Sequence, residues 1–457
     1  MNDKKIVVLG AGISGLTTAY LLHREGFDVT VVEKNYQPGG SMESIIENGY
    51  LFDRGPNSGL ETTPLISKFV NELNLSDQFI YADKSGNKRY ILRDNELHPL
   101  PMSPPAFLKS QLFSGSAKLR LLAEPFIGRS EDGYYQSIAD FVKRRLGKEF
   151  LDYAIDPFVS GVYAGDPEKL SVKSAFPKLY ALEENYGSLM IGTIRSIRER
   201  KKRAEKSKQS ARMFSFKNGM QTLPRAITNV LGEKVLLSSE VISIERKIRG
   251  YNVFINQSGN TINIKTDVVL STIPAYSASN LLKQFDPGIE NHLNDIYYPP
   301  VLVIYLAYKK SDVNRPLDGF GFLIPSKEKK SFLGAIWSSV IFPERAPGDE
   351  AAFTLFVGGA RNPEVEHANI EVLIKKVTAE FEELMKISGK PVFVSNRFWN
   401  RAIPQYNLGY VEHEKYFDQF EKKNPGLILS GNFRGGISVG DCIKNSEIVA
   451  EKIRSLF

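Results

Sequence analysis

Residues Lys5–Gly15 read KIVVLGAGISG, and this stretch decides the fold. The apolar run Ile6, Val7, Val8 and Leu9 has the length of a buried strand, and Gly10-x-Gly12-x-x-Gly15 closes it. An apolar-periodic helix is predicted through Leu16, Ala19, Tyr20 and Leu22, stopping near Gly26. A second strand, Asp28 to Val32, ends on Glu33. Strand, glycine turn, helix, strand and acid stand in the order of a dinucleotide-binding βαβ unit. Gly10 permits the tight turn, Gly12 lets the backbone approach a pyrophosphate, and Gly15 lets helix and strand pack closely. The helix N-terminus offers free N–H groups and a partial positive charge, so Ala11, Ile13 and Ser14 join the candidate cofactor contacts. Glu33 can accept hydrogen bonds from ribose hydroxyls, and Lys34 lies beside it.

Two flanking loops extend this site. Lys34–Ser41 (KNYQPGGS) carries tandem glycines just beyond the ribose acid, and Phe52–Ser58 (FDRGPNS) is a second glycine-containing loop. Either alone reads equally well as a surface turn. Together with the first motif they favour FAD over NAD, with Gly40, Ser41, Gly55, Pro56, Asn57 and Ser58 as further cofactor contacts. The C-terminus repeats the logic. Gly426–Asn432 (GLILSGN) is predicted as a strand, Arg434–Asp441 (RGGISVGD) as a glycine-rich turn, and a helix runs from about Cys442 to Ser455. Gly431, Ile437, Ser438 and Val439 would there serve the flavin ring and ribityl chain.

Between these ends the pattern changes. Asn87–Pro101 reads as a hairpin turning at Asp94-Asn95. Met102 to about Arg212 is rich in helix formers, with apolar positions such as Leu112, Phe113, Leu119, Leu121, Leu122 and Phe126. Strands are predicted at Val235–Glu245, Tyr251–Ile255, Ile262–Ile264, Val301–Tyr308 and Phe353–Gly358, and Asp267–Pro274 (DVVLSTIP) is a buried strand returning to the nucleotide domain.

Composition narrows the function classes. At 457 residues the chain exceeds one core, and 42% apolar with 24% charged residues is that of an ordinary globular protein. The single Cys442 excludes an internal disulfide and a multi-cysteine zinc site, and the five His make no metal-ligand spacing. No stretch approaches the length of a spanning helix, and the first apolar segment is a strand, so neither a signal nor a transit peptide is expected. The net charge of +7 owes much to Arg195–Arg212, which holds nine Lys or Arg and two Glu. That run reads as a solvated loop or as a contact for anionic lipid or an acidic partner. Without interleaved aromatics it gives no support to nucleic-acid binding.

The chain resembles the protoporphyrinogen oxidases, within the wider monoamine oxidase and phytoene desaturase group. The wide-group features are Gly10–Gly15, Glu33, Gly39-Gly40 and Gly431–Asp441. Narrower features resemble the plant-type enzymes: NKRYILR (Asn87–Arg93), IDPFVSGVYAGDPEKLS (Ile155–Ser171), SFKNGMQTLP (Ser215–Pro224), GFGFLIPSKE (Gly319–Glu328), FPERAP (Phe342–Pro347), FVGGARN (Phe356–Asn362) and GNFRGGISVG (Gly431–Gly440). The resemblance implies oxidation of protoporphyrinogen IX to protoporphyrin IX in heme biosynthesis, six electrons in three steps. FAD would accept each hydride at N5 and pass the electrons to dioxygen, releasing hydrogen peroxide, so no side chain is assigned to catalysis. It implies substrate contacts at Arg93, for a propionate, at Gly165, and at Leu323, Leu333 and Trp337, for the macrocycle faces. Plant enzymes carry a different aromatic at Trp337, and Ser41 departs from the commoner basic residue after the glycines. Val241 and Trp399 would be further FAD contacts. Read without the resemblance, Arg93 is a surface arginine at a hairpin turn, and the three apolar residues are core.

The expected fold is α/β: a discontinuous Rossmann-like FAD-binding domain (1–80, 211–285 and 400–457), a mixed-sheet substrate domain (81–101 and 286–399) and a helical, membrane-contacting insertion (102–210). Expected partners are a porphyrinogen, dioxygen, a second copy of the chain and a ferrochelatase receiving the product. The expected location is the cytoplasm, peripheral on the inner face of the cell membrane. Coproporphyrinogen III oxidation is the alternative reading, separated by two substrate carboxylates and hence by an extra cation facing the pocket. An amine oxidase, a carotenoid desaturase and a non-catalytic flavin-binding assembly protein remain as further alternatives.

Overall fold

The computed structural model describes residues 2–131, 134–203 and 211–457. Strand β1 (Asn2–Leu9), helix α1 (Ile13–Arg24) and strand β2 (Phe27–Val32) form the predicted βαβ unit. β1 is the centre of a five-stranded sheet in the order Val235–Leu236, β2, β1, Val268–Ser271, Leu427–Leu429. All of its pairings are parallel. A parallel sheet needs cover on both faces, which is why β1 reads as an unbroken apolar run. Ile6 and Val8 pack with α1, Thr222–Leu231 and the C-terminal helix. Val7 and Leu9 pack on the other side with helices Ala275–Leu282 and Tyr410–Lys423.

A seven-stranded mixed sheet runs in the order Phe393–Trp399, Val301–Lys309, Glu350–Gly358, Gly334–Ile336, Gly319–Leu323, Lys88–Arg93, Glu96–Pro99. Its only parallel pairing among the described residues joins Gly319–Leu323 to Lys88–Arg93. Alternation along the strands gives it two distinct faces. Leu302, Ile304, Leu306 and Tyr308 pack toward helix Ile370–Met385. Val301, Val303, Tyr305 and Ala307 look the other way, toward Tyr50 and Phe52 of the hairpin Ser44–Asp53. At the tip of the Lys88–Pro99 hairpin, Asp94 and Asn95 have φ of 52° and 61°. Two successive left-handed residues match the twist of the flanking strands, as expected for an Asp-Asn turn.

Several boundaries differ from the sequence reading. The predicted strand Val235–Glu245 breaks at Ser238, whose φ is +50°. Val235–Leu236 edges the nucleotide sheet, while Ser239–Arg246 joins a separate antiparallel sheet with Tyr251–Gln257 and Asn260–Thr266. The last helix begins at Val439, not Cys442, because Ser438 caps it: its Oγ accepts the Asp441 N–H at 3.1 Å. The preceding strand is short, Leu427–Leu429.

The block from Met102 holds helices Pro104–Lys109, Gly115–Leu122, Ile138–Arg145, Asp156–Tyr163, Pro177–Tyr186 and Leu189–Arg203. Its apolar positions separate by environment. Leu112 and Phe113 are buried, whereas Leu119, Leu122 and Phe126 are 58–89% exposed. Fully buried Arg145 bonds fully buried Glu124 at 3.0 Å, and Glu124 also accepts the Ser188 hydroxyl and the Leu189 N–H. Of the basic run Arg195–Arg212, residues 204–210 lie outside the described residues, and the part up to Arg203 continues the last of these helices. No helix among the described residues is long and apolar enough to cross a membrane.

Candidate active site

The β1–α1 turn is built from backbone. Gly10 has φ +99°, and its N–H donates to the Val32 carbonyl at 2.8 Å. A Cβ at Gly15 would stand 2.1 Å from the Gly10 carbonyl oxygen, so only glycine allows this approach of helix to strand. A Cβ at Gly12 would meet nothing within 4 Å, and no side chain caps α1 there. Nor does α1 carry an acidic residue in its first turn. The N-terminus is thus open, uncapped and electropositive, which fits a pyrophosphate.

The tandem glycines close on this turn. Gly39 donates to the Ala11 carbonyl at 2.8 Å, and a Cβ on Gly40 would lie 3.4 Å from Gly12 Cα. One oxygen of buried Glu33 accepts the Ala11 N–H at 2.8 Å, and the other accepts the Asn35 N–H and side-chain amide. These bonds fix its carboxylate at the end of β2, with lone pairs left for a ribose. Lys34 is exposed beside it. The Glu33 carbonyl accepts the Ser239 N–H at 2.8 Å, which leads the next strand past as far as half-buried Val241.

The second loop abuts the first. A Cβ on Gly55 would fall 1.9 Å from the carbonyl oxygen of Ser41, itself exposed, and Pro56, Asn57 and Ser58 are half-buried. Trp399 Nε1 donates to the Arg54 carbonyl at 2.7 Å, joining this loop to the end of the seven-stranded sheet. The C-terminal segment arrives through Thr272. Its Oγ1 donates to the Leu9 carbonyl at 2.8 Å, and its own carbonyl lies 3.2 Å from a Cβ on Gly431. Ile437 is half-buried against the nucleotide-domain core, and Ser438 is the cap just described. The second helix N-terminus differs from α1, because Asp441 in its first turn already accepts the Ser438 hydroxyl at 2.6 Å. Its charge suits neutral hydroxyls better than phosphate.

Beneath the second loop lies an ion pair that the sequence reading missed. Asp53 and Arg345 meet at 3.1 Å, both almost fully buried. Burial pushes the Asp53 carboxyl above its ordinary range against the pull of Arg345, and the same burial pulls the Arg345 guanidinium down. Ser44 Oγ and the Met220 N–H also bond Asp53. Gln221 bonds the Pro38 carbonyl and the Ser44 backbone N–H. The FPERAP and NGMQ segments thus brace the loops, but nothing in their local pattern says what they brace.

The predicted substrate contacts do not all converge. Leu333 shares the side of the seven-stranded sheet that meets the hairpin Ser44–Asp53 with Ala164, Val301, Val303 and Tyr305. Leu323 meets the helix Asp156–Tyr163, 2.5 Å from a Cβ on Gly161. Gly165 follows left-handed Ala164, whose carbonyl accepts the Ala360 N–H, and Gln405 bonds the Tyr163 carbonyl. Trp337 is 1% exposed and lies with the opposite face, stacked on Tyr90. The structure therefore does not bring Trp337 together with Leu323 and Leu333. Arg93 donates to Glu149 at 2.7 Å and to the Leu112 carbonyl at 2.6 Å, and its guanidinium lies 4.4 Å over Tyr153. Burial would raise the Glu149 carboxyl, but hydrogen bonds from Ser114 and Arg93 outweigh it and hold it low. Arg93 is thus compensated within the chain and 22% exposed.

The Flavin containing amine oxidoreductase family profile matches residues 13–454. The chain is 35% identical over 488 residues to "Protoporphyrinogen oxidase 2, chloroplastic/mitochondrial" of Arabidopsis thaliana, covering 100% of this chain and 94% of that one. It is 27% identical over 476 residues to "Coproporphyrinogen III oxidase" of Bacillus subtilis (strain 168), covering both chains fully. Among solved structures, one from Exiguobacterium sp. 255-15 superposes with a TM-score of 0.81 at 22% identity, over 100% of this chain and 99% of that chain. Reduced UDP-galactopyranose mutase superposes at 0.75 and 17% identity, over 99% and 96%.

Proposed function

The chain belongs to the flavin-containing amine oxidoreductase family and is an FAD-dependent oxidoreductase, and we propose that its substrate is a porphyrinogen. The observation that carries this is the end-to-end similarity to a protoporphyrinogen oxidase at 35% identity. The favoured reaction is protoporphyrinogen IX to protoporphyrin IX, six electrons passing to dioxygen with three hydrogen peroxide formed. FAD, when bound, supplies the hydride acceptor. The chain's own part is to bind and orient. Gly10–Gly15 and Gly39-Gly40 hold the pyrophosphate, Glu33 the ribose, and the loops at Gly55–Ser58 and Gly431–Val439 the ring end. The apolar sheet face with Leu333, together with Gly165 and Leu323, suits a broad greasy ring. Trp337 is left out of this set because it is buried on the far face. The test is hydrogen peroxide release and porphyrin fluorescence with protoporphyrinogen IX and coproporphyrinogen III in parallel; turnover of neither would refute the reading.

Arg93 is proposed to hold a propionate, sharing its charge with Glu149. A propionate is remote from the carbon that loses hydride, so its contact acts alike in ground and transition states and appears mainly in KM. Arg93→Ala is expected to lower kcat/KM by about 1.5–3 kcal/mol, the range for hydrogen bonds to charged groups. Arg93→Lys should recover part, since an ammonium keeps the charge without the planar fork. Glu149→Gln separates the two roles: if Arg93 only braces the hairpin against the helical block, this variant should show the same loss.

The same reading divides the chain into FAD-binding (1–80, 211–285, 400–457), substrate (81–101, 286–399) and helical (102–210) parts, the last resting on a bilayer surface. Exposed Leu119, Leu122 and Phe126 supply an apolar contact, and the basic run supplies charge at on the order of 1 kcal/mol per residue. Purified protein should co-sediment with anionic vesicles at low salt and release as salt rises. Equal binding to neutral vesicles, or none at low salt, would remove this part.

A further inference from the structure

We propose that Arg397 binds a peripheral carboxylate of the substrate and so sets which porphyrinogen the enzyme prefers; this rests on the porphyrinogen reading above. Arg397 lies on Phe393–Trp399, an edge strand of the seven-stranded sheet. Its register partner is Val303, whose partner is Phe356, followed by Gly334 and Leu323. Direct partners share a face. Val303 and Phe356 belong to the cluster that also contains Leu333, Ala164 and the hairpin residues Tyr50 and Phe52, so Arg397 heads the row on this face of the sheet. At ordinary strand spacing the four steps from Arg397 to Leu323 cover about 19 Å. The row carries a cation at one end and, apart from Gly334, apolar side chains along the rest, which complements a greasy ring with acidic edges.

Charge compensation singles out this residue. Arg54 pairs with Glu43 at 3.1 Å, Arg345 with Asp53 at 3.1 Å and Arg93 with Glu149 at 2.7 Å, while Arg361 pairs with Asp156. Arg397 has no carboxylate and no hydrogen-bond acceptor among the described residues. Its Nε is buried without a partner, and its guanidinium lies 4.6 Å over the Trp399 ring. An N–H withdrawn from water without an acceptor is unfavourable, and aromatic stacking leaves the in-plane donors unused. A carboxylate supplies what is missing: an acceptor matched to the guanidinium fork, and the compensating charge.

The test compares wild-type holoenzyme with Arg397→Met, Arg397→Gln and Arg397→Lys. Substrates are protoporphyrinogen IX, its dimethyl ester and coproporphyrinogen III, with FAD content and flavin midpoint potential measured for each protein. Arg397→Met should raise KM for the free acid roughly ten- to hundredfold, the equivalent of losing a hydrogen bond to a charged group. KM for the ester should hardly change, because the ester lacks the charge that Arg397 binds. Arg397→Lys should restore part of the free-acid KM, and the ratio of kcat/KM for the two acids should shift. Parallel losses on acid and ester would mean that the arginine only packs on Trp399 and would overturn the proposal. So would an unchanged KM with a shifted potential, which would assign the cation to the flavin. Wild-type protein that oxidises no porphyrinogen would fail the underlying reading, whereas active wild type with unaffected variants fails Arg397 alone.

Discussion

Gly12→Val protein is expected to fold and to purify without flavin. Gly12 has φ −74°, a backbone that any residue adopts, and its Cβ would meet nothing within 4 Å. The fold therefore tolerates the isopropyl group. The space it fills is the mouth of α1 beside Gly40, where the pyrophosphate must approach the backbone. FMN lacks that pyrophosphate and would use this turn poorly, so wild type should release FAD on denaturation. Gly15→Val is the contrasting case. A Cβ there stands 2.1 Å from the Gly10 carbonyl and 2.6 Å from Thr272 Oγ1, so that variant should lose the fold together with the flavin. The two are separated by flavin absorbance per polypeptide read beside the thermal unfolding profile. A Gly12→Val protein of normal stability with full flavin occupancy would exclude this turn as the pyrophosphate site.

Arg345→Met is expected to cost about 3–5 kcal/mol at neutral pH, since it strands the Asp53 carboxylate in an almost waterless site. The effect should depend on pH in a definite sense. Burial already raises the folded-state pKa of Asp53, and Arg345 opposes that rise. Without the arginine the folded pKa climbs further above the ordinary carboxylate value of about 3.9. A raised folded pKa means that the folded state holds a proton the unfolded state has lost, so stability falls as pH rises through that window. The deficit of Arg345→Met should accordingly be large at an alkaline pH and smaller at an acidic pH, where a protonated Asp53 strands no charge. Urea denaturation of wild type and variant at both pH values measures it. A pH-independent deficit would show that lost packing of the arginine stem, not the stranded charge, is the cause.

How much of this was legible depended on how local the physics is. The Gly10–Gly15 turn, its helix and its flanking strands follow from neighbours in sequence, and they appear where they were read. The hairpin turn at Asp94-Asn95 is likewise local. The break at Ser238 was not, because both halves of Val235–Glu245 have strand character and only pairing partners far along the chain assign them to different sheets. Exposed Leu119 and buried Leu112 are indistinguishable by composition and differ only in what stands opposite.

The sequence by itself determined a dinucleotide-binding α/β fold, the glycines that open it and the acid at Glu33, because backbone conformation and helix polarity are written within about thirty residues. Tertiary structure alone decided which charges are spent and which are available. It pairs Asp53 with Arg345 and Arg93 with Glu149, turns Trp337 to the far face, and leaves Arg397 without a carboxylate among the described residues. The reason is physical: a side chain's face and charge balance are set by strand register and by partners up to hundreds of residues away, and neither is encoded in any short window of chain.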